Sequence, residues 1–174
     1  SITKTFTAML LSKAIEEGKI NLNDNISKYL KLENRYYPTI KRIITHTSGL
    51  KPYYLSFQKI KNYFVGGNGF YNISKEQLLK ELNKTKLEAK DYNFNYSNFG
   101  VSTLGLVLEK EYDKNYNELL EEYLKSLDMN NTTIATGQGN LSGYWKWNEN
   151  DGYIPAGAII SNIKDMSKYL ETLI

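Results

Sequence analysis

Cysteine is absent from the 174 residues, which excludes disulfides, thiol nucleophiles and thiolate metal sites in one step. That absence does not fix the compartment, since exported chains can also lack cysteine. Histidine is nearly absent as well. His46 stands alone, so a zinc centre built on several imidazoles is excluded and no metal site is expected. No run of about eighteen apolar residues occurs, so no segment reads as a membrane span. Charge of one sign is not concentrated either: 22 basic and 19 acidic side chains leave a net charge of +3. That balance gives no footprint for nucleic acid or an anionic membrane.

What remains is the composition of a globular domain, with 41% hydrophobic and 24% charged residues, long enough for one compact core and too short for two. Fifteen tyrosines accompany abundant Asn, Lys and Ile, which points to biased codon usage rather than to an aromatic binding platform. The chain opens on Ser1 without a signal segment, which carries little information about targeting. Periodicity predicts helices almost throughout. Residues 2–17 place Phe6, Met9, Leu10, Ala14 and Ile15 on one side, with Gly18 as the stop. Asp24 or Asn25 caps a short turn holding Ile26, Tyr29 and Leu30. Residues 39–46 carry Ile40, Ile43 and Ile44, closed by Ser48-Gly49. Further helices are predicted at 57–64, from the Ser74/Gln77 capping box to about 84, from Ser97 or Asn98 to about 112, and from Asn115 or Asn117 to 127. The stretch 130–150 reads as loops with one or two short strands. Pro155 to Ile160 is small and apolar. Residues 162–173 close the chain as a helix burying Met166, Tyr169, Leu170 and Leu173.

Two motifs carry chemistry. Ser1-Ile2-Thr3-Lys4 is an S-x-x-K at a helix start, and positions three apart share a helical face, so the ammonium can reach the hydroxyl. The helix N-terminus favours negative charge there. By itself the motif is weak, because Ser48–Lys51, Ser56–Lys59 and Ser161–Lys164 repeat it. Tyr96-Ser97-Asn98 is the only Y-x-N. A phenol with a pKa of about 10 is a poor base at neutral pH unless a nearby ammonium favours its phenolate. The bland alternative is a tyrosine packed at a helix start with Asn98 as a cap.

These pieces recur in an order that resembles one family. Ser1 to Ala8, then Thr45-His46-Thr47-Ser48-Gly49-Leu50, Tyr96-Ser97-Asn98-Phe99-Gly100 running into Leu104-Gly105, and Pro155-Ala156-Gly157 through Asp165-Met166 look like the class C β-lactamases and the related penicillin-binding-protein-like serine hydrolases. The resemblance covers nearly the whole chain. It implies a mainly α chain of one domain over 1–174: the helical lobe of the α/β β-lactamase/transpeptidase-like fold, with most of the antiparallel sheet missing. It implies Ser1 as acylated nucleophile, Lys4 as its proton partner, Tyr96 as general acid/base and Asn98 as substrate contact, with no cofactor. The implied substrate is a β-lactam, a D-alanyl peptide of peptidoglycan or an ester. The implied location is extracellular or at the cell envelope. A non-catalytic or sensing peptidoglycan-binding module is the second reading. His46 is not assigned to the family's H/K-T/S-G motif, which follows the Y-x-N, whereas His46 precedes it and ends a helix. No such motif follows Asp165, so these residues alone are expected to be catalytically silent or nearly so.

Overall fold

The computed structural model describes residues 1–136 and 145–174, so part of the Gly- and Asn-rich stretch expected to hold loops and short strands, residues 137–144, lies outside the described residues. The elements run α1 (Thr3–Glu16), a 3-10 turn (Ile26–Lys28), α2 (Ile40–Ile44), α3 (Phe57–Val65), α4 (Lys75–Lys84), α5 (Asn98–Tyr112), α6 (Tyr116–Ser126), β1 (Thr133–Ile134), α7 (Ile154–Gly157), β2 (Ile159–Ile160) and α8 (Ile163–Glu171). The chain is mainly helical, as its periodicity predicts. β1 and β2 pair antiparallel, Thr133 opposite Ile160 and Ile134 opposite Ile159, and form the one sheet among the described residues. No helix among them is long and apolar enough to cross a membrane.

α1 is the central helix. Phe6, Leu10 and Ala14 are buried along one side and Thr3, Thr7 and Leu11 along another, so the helix is enclosed by α5, α6 and α7. It ends where Gly18 takes a left-handed φ of 72°, its N–H bonding the Ile15 carbonyl at 3.0 Å while the Lys19 N–H bonds Ala14 at 2.9 Å. α5 begins at Ser97, whose hydroxyl accepts from the Gly100 N–H at 2.8 Å, and buries Phe99, Val101, Leu104, Val107 and Leu108. Capping also fixes α4, where Ser74 and Gln77 bond reciprocally, and α6, where the Glu118 carboxylate accepts from the Asn115 N–H at 3.0 Å.

The single turn α7 is bolted onto α1 by polar contacts inside the core. Thr7 donates its hydroxyl proton to the Pro155 carbonyl at 2.8 Å. With that proton committed, the Tyr116 hydroxyl is the donor in its 2.6 Å bond to Thr7. Thr3 accepts from the Ile159 N–H at 3.1 Å. The opposite side of α7 presses on α5, where a methyl group added at Gly105 would overlap the Pro155 ring. Asp165, buried in the first turn of α8, accepts from the Asn131 N–H and the Thr132 hydroxyl, both at 2.8 Å, and so ties α8 to the segment entering β1.

Two expectations change. α2 closes at Ile44, and the reversal after it is made by His46 itself in the left-handed region, φ 59°, before Gly49 at φ 77°. In α8 only Tyr169 of the expected apolar set is fully buried, stacking on Phe6 with ring centroids 3.8 Å apart, and Met166 is half-buried. Leu170 and Leu173 are 57% and 50% exposed, because the inward stripe passes through Asp165 and Tyr169, one step round the helix from them. The α5–α7 contact sets where α7 can sit. Gly105→Ala is expected to destabilise the protein by about 1–3 kcal/mol through overpacking. Denaturant midpoints check this, and an unchanged midpoint would show that Pro155 yields freely.

Candidate active site

Lys4 lies in the first turn of α1 and is 8% exposed. Its ammonium donates to the Ala156 carbonyl at 2.6 Å and to the Ser1 hydroxyl at 3.2 Å. It makes no ion pair among the described residues. Burying a cation without a carboxylate is costly unless its protons are taken up by hydrogen bonds. Here the α7 carbonyl and the serine hydroxyl take two of them, and the ring of Tyr96 supplies its face with the centroid 5.0 Å away. The α7 clamp is therefore what places the ammonium.

Tyr96 is 40% exposed and ends the extended stretch that leads into α5. Burial pushes its phenol pKa up, but interactions with the Lys4 ammonium and the Ser1 hydroxyl, together with the Lys4 charge, outweigh that and hold it below the ordinary value. Ser1, Lys4 and Tyr96 thus share one place, although Tyr96 comes from a loop ninety-two positions after Lys4. Ser1 is exposed. Asn98 is the first residue of α5, half-buried, and its side-chain amide makes no hydrogen bond among the described residues. The structure therefore gives Asn98 an unengaged amide two residues from Tyr96 and no bond to the other three.

The segment 45–52, read from sequence as a plain helix end and loop, turns out to be the cradle of the Tyr-Ser-Asn loop. The Asn95 N–H donates to the His46 carbonyl at 2.8 Å, and the Ser97 N–H donates to His46 Nδ1 at 3.1 Å. The Ser97 hydroxyl donates to the Lys51 carbonyl at 2.6 Å, and the Phe99 N–H reaches Pro52 at 3.1 Å. The His46 ring lies 4.6 Å from that of Tyr96, centroid to centroid. Burial and the nearby Lys4 charge lower the imidazole pKa below its ordinary value, so at pH 7 the ring is neutral with its proton on Nε2. Local periodicity carries no trace of this cradle, because most of its bonds are to backbone atoms. Among the described residues no cluster of three or more His, Cys, Asp or Glu side chains could hold a metal ion.

A serine just ahead of α1 and a lysine in its first turn, with a phenol ring against the lysine, sit in a mainly helical chain whose class is the helical lobe of the β-lactamase/transpeptidase-like fold. The chain belongs to the Beta-lactamase family, which matches residues 1–174. It is similar to a β-lactamase of Providencia stuartii, 29% identical over 187 aligned positions, covering 98% of this chain and 45% of that protein. It is also similar to Protein flp of Staphylococcus aureus (strain MW2), 29% identical over 141 positions, 77% of this chain and 27% of that protein. Among solved structures, a β-lactamase/D-alanine carboxypeptidase from Yersinia pestis superposes with a TM-score of 0.78 at 22% identity, over 100% of this chain and 52% of that one. A class C β-lactamase follows at 0.74 and 22%, over 98% and 48%. The chain spans between about a quarter and about half of the length of these proteins.

The site geometry makes the phenol dependent on the ammonium. Replacing Lys4 by Met removes both of the Lys4 contributions that lower the Tyr96 pKa and leaves burial opposed by the Ser1 hydroxyl alone. The Tyr96 midpoint, followed by NMR with 13Cζ-labelled tyrosine, is expected to rise above the wild-type value. An unmoved midpoint would separate the two groups.

Proposed function

We propose that the protein acts by acyl transfer, with Ser1 as the nucleophile that is transiently acylated, Lys4 and Tyr96 as its proton-transfer pair and Asn98 as a contact to the substrate amide. One observation carries this reading: the Ser1 hydroxyl is bonded to an ammonium that also faces a phenol whose pKa is lowered. A serine without a histidine base needs such a neighbour to lose its proton.

In the first half-reaction the Ser1 oxygen bonds to the substrate carbonyl carbon, and its proton passes to the Tyr96 phenolate beside Lys4. The phenol then returns that proton to the leaving nitrogen or oxygen as the carbonyl–heteroatom bond breaks. In the second half-reaction water attacks the ester on Ser1. Its proton travels to Tyr96 and then back to the serine oxygen, so the enzyme ends as it began. The lowered phenol pKa brings the group closer to the operating pH, where a proton shuttle works in both directions.

Family membership and the names of the relatives, a β-lactamase and a β-lactamase/D-alanine carboxypeptidase, support this substrate class. A β-lactam, a D-alanyl peptide and a simple ester all present a carbonyl to the same serine. The choice among them belongs to pocket shape and not to the shared residues. The protein expressed from its full reading frame is expected to show, in intact-mass analysis, a transient acyl adduct on Ser1 with at least one of the three. Ser1→Ala should abolish that adduct, and Tyr96→Phe should slow its formation about 10²–10⁴-fold. An adduct on another residue, or turnover that survives Ser1→Ala, would overturn the assignment.

A further inference from the structure

We infer that His46 is a positioning residue for Tyr96: its neutral imidazole and its own backbone carbonyl hold the loop 94–98 so that the phenol stays over Lys4. The inference rests on the acyl-transfer reading for its consequence in rate, but its structural content stands apart from that reading.

Three independent contacts converge on the one histidine. The Ser97 N–H donates to Nδ1 at 3.1 Å, the Asn95 N–H donates to the His46 carbonyl at 2.8 Å, and the imidazole packs on Tyr96 and, edge-on at 5.7 Å, on Phe94. The bonds flank Tyr96 on both sides, at 95 and 97, so the residue between them has little freedom to swing. Both donors are backbone N–H groups, which have no alternative state. The acceptor on the ring must therefore be an unprotonated nitrogen, and the lowered imidazole pKa keeps Nδ1 available at pH 7. His46 also adopts φ 59°, a conformation that few side chains tolerate. A residue chosen only to end α2 would be glycine or asparagine. Neither would lay a ring against Tyr96.

Ser97 shows why an acceptor is needed at this place. It is buried, its hydroxyl is already committed to the Lys51 carbonyl and the Gly100 N–H, and its own N–H has the imidazole as its partner. Removing that acceptor leaves a buried donor unpaired at the residue next to the phenol, and the loop then relieves it by moving. Displacing a proton-transfer group by about 1 Å can cost on the order of 10²-fold in rate.

The test uses two replacements in the protein expressed from its full reading frame. His46→Gly accepts the left-handed backbone without strain but offers no side-chain acceptor. His46→Asn also tolerates that conformation, and its side-chain oxygen can take the place of Nδ1. The first readout is the Tyr96 phenol midpoint by 13Cζ-tyrosine NMR, assigned with Tyr96→Phe. The second is the rate of adduct formation on Ser1. His46→Gly is expected to raise the midpoint and to slow acylation about tenfold or more, while His46→Asn stays closer to wild type in both, with thermal midpoints confirming that both variants fold. Equal loss in the two variants, or an unmoved Tyr96 midpoint in folded His46→Gly, would overturn the inference. If wild type forms no adduct while the midpoint still responds to His46→Gly, the positioning role stands and the hydrolase reading fails. If adduct forms but the midpoint ignores His46, the reverse holds.

Discussion

The buried ammonium of Lys4 is the constraint around which the molecule is arranged. A cation in a helical core with no carboxylate among the described residues to neutralise it is a standing cost, and the fold meets it with oriented dipoles: the Ala156 carbonyl, the Ser1 hydroxyl and the face of Tyr96. A carboxylate in the same place would bind the ammonium more strongly and would also quench it. Holding it with neutral groups leaves its field free to act on the serine and the phenol. Burial pushes the Tyr96 pKa up, but the Lys4 ammonium, together with the Ser1 hydroxyl, holds it below its ordinary value.

Each partner of Lys4 is fixed by a different piece of the chain. Ala156 belongs to a single helical turn that would be mobile in isolation. Thr3 and Thr7 pin it to α1, and Pro155 rests in the space left by Gly105 on α5. Tyr96 belongs to a loop whose backbone is strapped to residues 46–52. The close-packed interface of α1, α5 and α7 therefore does for the lysine what the cradle does for the tyrosine. Stability and site geometry are here the same set of contacts, so packing changes far from Ser1 should reach the chemistry.

Much of this was legible in sequence. The helices follow from apolar spacing and from caps such as Ser74, Ser97 and Gly18, whose side chain or missing side chain acts locally. Ser1, Lys4 and Tyr96 could be named because their side chains themselves are written in the motifs, and the structure brings those three together. What was hidden is of three kinds. The Ala156 carbonyl, like the carbonyls of Lys51 and Pro52, is a backbone atom with no residue signature. The place of His46 depends on a left-handed turn that glycine usually marks and histidine does not. The outward position of Leu170 and Leu173 was hidden for a third reason, since an apolar stripe shows its width in sequence but not which of its edges meets the core.

The most direct measurement is a nuclear Overhauser contact between the Lys4 ε-methylene and the ring protons of Tyr96, in protein expressed from its full reading frame with those residues selectively labelled. The account predicts a clear contact, matching an ammonium 5.0 Å from the ring centre, alongside a contact between the same ring and His46. A Tyr96 ring that meets His46 but shows nothing to Lys4 would mean that the ammonium points elsewhere, and the shared site would not exist.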